Sequence, residues 1–240
     1  MKVSVILPTY EEAGNIVDLI RAIIESFPAG WEHEIVVADD NSPDQTFEVV
    51  KAAFEGNPGV VPLLRTTDRG LAKAIRAGIE VSRGEQILVM DSDFTHDPVE
   101  IPKLLHVAEK YDIVSASRFC PGGNMQDTKH YLASLLFNWF VRGVIRTQVQ
   151  DNLGGYFTMS RRNLDLLPWD RIFFGYGDYF FRLLHHAQQR GLSIVEVPAR
   201  YRVRRRGDSK SNFGKLLVDY TAAVIQLRVR GHRRLDGRRH

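Results

Sequence analysis

The sequence predicts an α/β protein with a doubly wound, mostly parallel sheet and flanking helices, and three observations carry that prediction. Short apolar runs rich in Val, Ile and Leu recur through the first half of the chain. Between them lie stretches whose apolar residues repeat at helical spacing. The segments that directly follow the runs are polar and crowded with Asp, Asn, Ser and Pro. Continuous apolar strands separated by amphipathic helices indicate a parallel sheet covered on both faces. The right-handed crossover rule then gives the doubly wound arrangement.

In order, Val3–Leu7 reads as a strand and 15–26 as a helix with Ile16, Leu19, Ile20 and Ile23 on one face. Glu34–Ala38 is a second strand, followed by a helix over 46–54. Val60–Leu64 is a third strand, with a helix over 71–82. Gln86–Met90 is a fourth, with a helix over 99–110, and 112–115 is a fifth. Further on, 131–145 and 213–229 read as helices. The second carries Phe213, Leu216, Leu217, Tyr220, Val224 and Leu227 along one side.

A chain of 240 residues buries enough apolar surface to need no covalent staples. Cys120 is the single cysteine, so no internal disulfide forms, which fits a reducing compartment. The formal charge of +3 is uneven. Residues 201–240 hold twelve Lys/Arg against three Asp/Glu, a net of +9, whereas 1–200 hold twenty against twenty-six, a net of −6. A basic end on an acidic body points to an anionic partner: phosphate, anionic lipid or nucleic acid. The run Val3–Leu7 is too short for a signal-peptide core, and no stretch reaches the roughly 20 apolar residues that span a bilayer. The expectation is a soluble or surface-bound chain.

Ligands of doubly wound sheets bind beyond the carboxyl ends of the strands. Three carboxylate-rich segments fall there: PTYEE (8–12), DDNSPD (39–44) and DSD (91–93). Taken singly, each is an ordinary turn or helix cap. Together on one rim, their like charges call for a cation. If the backbone stays extended past the fourth strand, Asp91 and Asp93 project to one side. Two converging carboxylates make a hard oxygen site for Mg²⁺ or Mn²⁺, which leaves positions for substrate phosphates and neutralises a diphosphate leaving group. On the same rim Asp40 can accept from a base edge, Tyr10 can stack on it and Glu12 can hold ribose hydroxyls. Arg65, with Gly70-Leu71-Ala72, leads into a helix N-terminus whose free amides suit an anion. Neither a GxxxxGK[ST] phosphate loop nor a GxGxxG after the first strand is present, which argues against a P-loop ATPase and a dinucleotide dehydrogenase.

The series PTYEE (8–12), EIVVADDNSPDQT (34–46), R-x₄-GLAKA-x₃-G (65–78), MDSDFTHDP (90–98) and DIVSASRF-x-PGG (112–123) resembles the inverting family-2 glycosyltransferases of GT-A fold. DNLGGYF (151–157), GLSIVEVP (191–198) and R-x-x-G-x-SK (204–210) are similar to the dolichyl- or polyprenyl-phosphate mannose synthase branch. The resemblance implies a catalytic domain over 1–211, with a Rossmann-like nucleotide half. An amphipathic helix and basic tail follow over 212–240. It implies transfer of a sugar, with GDP-mannose as donor, to a polyprenyl phosphate with inversion, dependent on Mg²⁺ or Mn²⁺. By matching positions, Pro8, Tyr10, Glu12 and Asp40 would contact the nucleotide, while Asp91 and Asp93 would serve the metal and diphosphate. Arg118 and Arg204 would meet phosphates, and Lys210 would sit beside Arg204 near the acceptor.

The chain departs from the family at four places. Thr95 stands where a metal-binding Gln is usual, and its hydroxyl can replace that ligand directly or through water. Asp68 stands for Lys, Ala72 for Gly, and an Arg usual before Ser134 is missing, leaving Lys129 and His130 as substitutes. An acceptor phosphate is already an anionic nucleophile, so no general base is assigned and positioning with electrostatics carries the reaction. His33, His96, His106, His130, His185 and His186 lack metal-ligand spacing; His96, beside the acidic motif, is the one set apart for testing.

Arg202, Arg204, Arg205, Arg206 and Lys210 form a cluster suited to phosphate. The 213–229 helix either packs on the domain or lies on a membrane, and the arginines from Arg228 to Arg239 tilt it towards anionic lipid. The expectation is a peripheral protein on the cytoplasmic face of a membrane, held there by lipid or a membrane partner subunit, with no nucleic acid bound. The rival readings are a transferase using a UDP-sugar and another acceptor, and a non-catalytic nucleotide-sugar-binding subunit.

Overall fold

The computed structural model describes residues 2–126, 128–204 and 213–236. Five strands run as expected: β1 (Lys2–Thr9), β2 (Glu32–Asp39), β3 (Val60–Leu64), β4 (Gln86–Val89) and β5 (Ile113–Ser117). A short β6 (Asn124–Met125) precedes β7 (Phe157–Ser160), β8 (Ile194–Pro198) and β9 (Arg200–Tyr201). The main sheet has seven strands in the order β3-β2-β1-β4-β7-β5-β8, and β6 pairs with β9 beside it. All main-sheet pairings are parallel except those of β7, which runs antiparallel between β4 and β5. The sheet is therefore mostly parallel, as the sequence predicts.

Strand β1 shows why both faces need cover. Val3, Val5 and Leu7 pack into one apolar layer and Ile6 into the other. On the first side lie α1 (Ile16–Ser26), which buries Ile16, Leu19, Ile20 and Ile23, then α2 (Thr46–Ala53) through Val50, and α4 (Ile101–Val107) through Leu104 and Leu105. On the second lie α3 (Leu71–Val81) through Ala72, Ile75 and Ile79, and α8 (Tyr179–Gln189) through Phe180, Leu183 and Leu184. The short α6 (Arg161–Asp165) and α7 (Trp169–Ile172) close that side through Leu164 and Ile172. At about 25 cal/mol per Å² of apolar surface removed from water, these two layers supply the main driving force for the fold. The helix expected over 99–110 is shorter, because Pro98 opens a 3-10 turn over Pro98–Glu100 before α4 begins.

A third apolar cluster joins α5 (Thr128–Ile145) to α9 (Phe213–Asp236) and α8, with Val141, Ile145, Phe181 and Val224 buried and Tyr220 and Leu227 against them. One side of α9 thus packs on the domain. Its other side exposes Leu217, Val218, Ile225 and Val229, and α5 exposes Leu132, Leu136, Trp139 and Phe140. Among the described residues no helix is long and apolar enough to cross a membrane.

Candidate active site

The carboxyl ends of β1, β2 and β4 open onto a cleft of about 440 Å³. Its lining includes Pro8, Tyr10, Glu12, Asp40, Asp91, Asp93, Thr95 and Arg204. Eight of the eleven residues singled out in the sequence therefore meet there. Arg65 and Arg118 do not line it, and Lys210 lies outside the described residues.

The DSD segment does not continue the strand. Strand β4 stops at Val89, and the chain bends through 92–95 with Phe94 at a left-handed φ of 67°. The expectation of an extended backbone at Asp91 and Asp93 is corrected here, and the cause is local. Asp93 Oδ1 accepts from the Thr95 amide at 2.9 Å and from the Thr95 hydroxyl at 2.6 Å, which folds the chain into an Asx turn. Ser92 pins the bend by donating its hydroxyl to the Pro8 carbonyl at 2.9 Å. Both carboxylates still face the cleft. Asp91 is held above the ordinary carboxyl range. Displacement of water by the surrounding walls raises it most, and Asp93 adds repulsion against the lowering pull of His96, Arg204 and Arg118.

Arg204 spans the floor. Its Nη1 donates to Glu12 Oε1 at 2.9 Å and its Nη2 lies 2.8 Å from Asp93 Oδ2. Glu12 is itself fixed: the Asn15 side chain donates to its Oε2 at 2.7 Å, and its amide donates to the Thr46 hydroxyl at 2.9 Å. Strand β9 brings Arg204 to the acidic loop. The Arg202 amide donates to the Thr95 carbonyl at 2.9 Å, His96 bridges to Tyr201, and Arg202 pairs with Asp97.

The side that the sequence assigns to a nucleotide is tied together by more contacts than the sequence suggests. Asp40 accepts from Arg65 and, at 2.7 Å, from the Gly70 amide, tying the loop after β2 to the start of α3. Burial raises the Asp40 carboxyl, and the Gly70 amide and Arg65 counter it. Arg65 is thus a brace for Asp40 rather than a lining residue. Arg69, unmarked in the sequence, places its guanidinium 4.2 Å from the centre of the Tyr10 ring at the cleft wall. The opposite wall is made by Leu153, Gly154, Gly155, Tyr176, Gly177, Tyr179 and Tyr220. A Cβ at Gly177 would stand 2.5 Å from the Tyr220 hydroxyl, so a side chain there would displace that ring tip from the wall. DNLGGYF marks part of that wall in the sequence; nothing local marks Tyr220.

Arg118 is 7% exposed and is paired with a buried carboxylate. Its Nε and Nη2 donate to Asp151 at 2.8 and 2.7 Å, and its amide donates to the same carboxylate at 3.0 Å. Its Nη1 meets the Met125 sulfur at 3.9 Å, so that arm of the fork is not taken by the carboxylate.

Among the described residues no three His, Cys, Asp or Glu side chains converge as a closed metal site. Two carboxylates in an open cleft are nonetheless the donor set a hard cation needs when diphosphate and water complete its shell. Arg204 already places positive charge against Asp93 and Glu12. The residues present fit Mg²⁺ or Mn²⁺.

The chain matches the pattern described as Glycosyl transferase family 2 over residues 4–167. It is 32% identical to an undecaprenyl-phosphate mannosyltransferase of Micrococcus luteus, across 97% of this chain and 98% of that one. It is 31% identical to a dolichol-phosphate mannosyltransferase of Pyrococcus furiosus over 95% of its length, and it spans 64% of that longer protein. Among solved structures, the glucosyl-3-phosphoglycerate synthase of Mycobacterium tuberculosis in complex with Mn²⁺, uridine diphosphate and phosphoglyceric acid superposes with a TM-score of 0.74. That likeness covers 94% of this chain and 78% of the other at 19% identity, and it speaks to the fold alone. With its mostly parallel seven-stranded sheet and the family pattern running through its cleft loops, this chain belongs to glycosyl transferase family 2 and is a glycosyltransferase of GT-A fold.

Proposed function

We propose that the chain transfers mannose from GDP-mannose to a polyprenyl phosphate with inversion, in the presence of Mg²⁺ or Mn²⁺. One observation carries the reading. The Asp91–Asp93 pair and Arg204 meet on one cleft floor, in a chain similar almost end to end to an undecaprenyl-phosphate mannosyltransferase.

In this reading Pro8, Tyr10, Glu12 and Asp40 flank the nucleotide, and Asp91 and Asp93 would hold the cation with the Thr95 hydroxyl beside them. The bound cation would act as a Lewis acid that neutralises the departing diphosphate. The acceptor phosphate is anionic near neutral pH, so the protein need not remove a proton from it. Its oxygen forms a bond to the anomeric carbon as the bond to the diphosphate oxygen breaks on the opposite face, which inverts that centre. The protein's work is to align the two and stabilise charge. Arg204 would exchange its carboxylates for phosphate oxygens, a geometry its planar fork suits. Lys210 is assigned to the acceptor phosphate beside it.

The exposed apolar rows of α5 and α9, with the basic chain end, support peripheral binding to the cytoplasmic face of a membrane, on anionic lipid or a membrane partner, where a polyprenyl chain is available. The test is a donor panel: the protein with Mg²⁺ or Mn²⁺, polyprenyl phosphate and, in turn, GDP-mannose, UDP-glucose, UDP-GlcNAc and UDP-galactose. Mannosyl transfer from GDP-mannose is expected. Transfer only from a UDP-sugar would replace the donor, and no transfer from any donor, with nucleotide still bound, would overturn the reading.

A further inference from the structure

His96 is the buried group that the proposed chemistry leaves unused, and its contacts converge on Asp91. Its residue is 1% exposed. The imidazole stacks on Tyr156, with ring centres 4.9 Å apart and planes 14° apart, and meets Tyr201 edge-on at 4.7 Å. Both rings are themselves tethered: the Tyr156 hydroxyl donates to the Asp97 carbonyl at 3.1 Å and the Tyr201 hydroxyl to the Ala116 carbonyl at 3.3 Å. Within this slot Nδ1 accepts from the Asp91 amide at 2.9 Å, which leaves the ring proton on Nε2. Nε2 lies 3.5 Å from Asp91 Oδ2, a polar contact longer than an ordinary hydrogen bond. A single immobilised ring thus touches both the backbone and the carboxylate of one residue.

The two carboxylates of the acidic loop are oriented by different means. Asp93 is fixed by the Thr95 amide and hydroxyl and by Arg204. Asp91 points into open cleft and has its imidazole on the inner side. Apart from that ring, the Asp91 carboxylate feels the attraction of Arg204 and Arg118 and the repulsion of Asp93. Groups that hydrogen-bond a ligating side chain set its direction, and removing them typically weakens metal binding about 10–100-fold.

We infer that His96 is a positioning residue that aims the Asp91 carboxylate at the cation. This rests on the cation reading of Asp91 and Asp93, and the test separates the two. Mn²⁺ alone is titrated into the full-length protein and free Mn²⁺ is read by electron paramagnetic resonance, with thermal unfolding of the metal-free protein measured alongside. The proteins compared are wild type, D91A, H96F, H96N and H96Q. Phenylalanine keeps the aromatic stacking and removes both polar contacts. Asparagine can present an acceptor near the place of Nδ1, and glutamine a donor near the place of Nε2.

Mn²⁺ binding should be lost in D91A and weakened about 10–100-fold in H96F at a nearly unchanged unfolding temperature. H96Q should recover more affinity than H96N, a ranking that a merely structural role would not produce. Wild-type Mn²⁺ affinity in H96F, with D91A defective, would overturn the inference and leave the cation reading standing. Wild-type affinity in D91A would remove the cation reading and the inference with it. If H96F does not fold, the pair H96Q and H96N decides, and equal affinity for Mn²⁺ would overturn the inference.

Discussion

Arg118 and Arg204 make an instructive pair. Arg118 follows β5 of the main sheet and Arg204 follows β9 beside it; both are expected on phosphates, and both are bound to carboxylates. The partners differ in what surrounds them. Arg118 is 8% exposed at its side chain against an Asp151 that is 0% exposed, whereas Arg204 is 25% exposed between Glu12 and Asp93 on a cleft floor. Tyr201 and Phe119 also stand about Arg118, with ring centres 5.0 and 5.1 Å from its guanidinium carbon. A fork with two of its three nitrogens on a buried carboxylate has less to offer a substrate. An open one can change partners, and that availability, rather than the presence of arginine, marks a site.

The sealed pair is where substitution costs the fold most. Removing one partner of a buried ion pair leaves the other charge stranded, a loss of about 3–5 kcal/mol. R118M should therefore lower unfolding free energy by that amount in a denaturant titration, and a second change of Asp151 to Leu should recover part of it. A loss under about 1 kcal/mol in R118M would show that Asp151 is not sealed, and would bring Arg118 back among the phosphate ligands.

The contrast also shows what could be read from the chain alone. Strands β1 to β5 and helices α1 to α3 were legible because burial on two faces or one leaves a periodic apolar signature. Strand β7 was not, because four residues, Phe157–Ser160, carry no sign of direction, and only their insertion between β4 and β5 makes them antiparallel. The acidic loop was legible as chemistry but not as shape. Its bend depends on Asp93 capturing the Thr95 amide, a choice that two adjacent polar residues do not announce. Arg118 and Arg204 looked alike because their partners are remote: Asp151 lies 33 residues from the first, and Glu12 lies 192 from the second.

Glu34 tests an intermediate case, a carboxylate that is buried while its cation is not. Ser4 donates to it at 2.6 Å, the Gly84 amide at 3.2 Å and the Arg83 amide also, and Lys2 Nζ lies 3.1 Å away, 33% exposed. Burial alone would raise this carboxyl, but the bonds from Ser4 and Arg83, and then Lys2, bring it below the ordinary value. A lowered carboxyl contributes stability above its unfolded pKa, and that contribution disappears as pH falls through the folded value. E34Q should cost about 1 kcal/mol near neutral pH, and the gap from wild type should close on acidification. A gap that widened towards acid pH would reverse the sign assigned here.

Arg204 should show the smallest effect on stability. Its bonds are partly solvated, and exposed pairs are worth about 0–1 kcal/mol. Its removal also leaves Glu12 and Asp93 beside Asp91 with less positive charge among them, which acts in the same modest direction. R204A should accordingly unfold within about 1 kcal/mol of wild type. Turnover should respond far more. A group that meets charge developing on a phosphate is worth about 10²–10³ in kcat, so R204A should lose that much in transfer assays while remaining folded. R204K should recover only a fraction, because a point charge on a flexible stem cannot replace a planar fork spanning two oxygens. Full turnover in R204A would place Arg204 with Arg118, as an arginine that serves the fold.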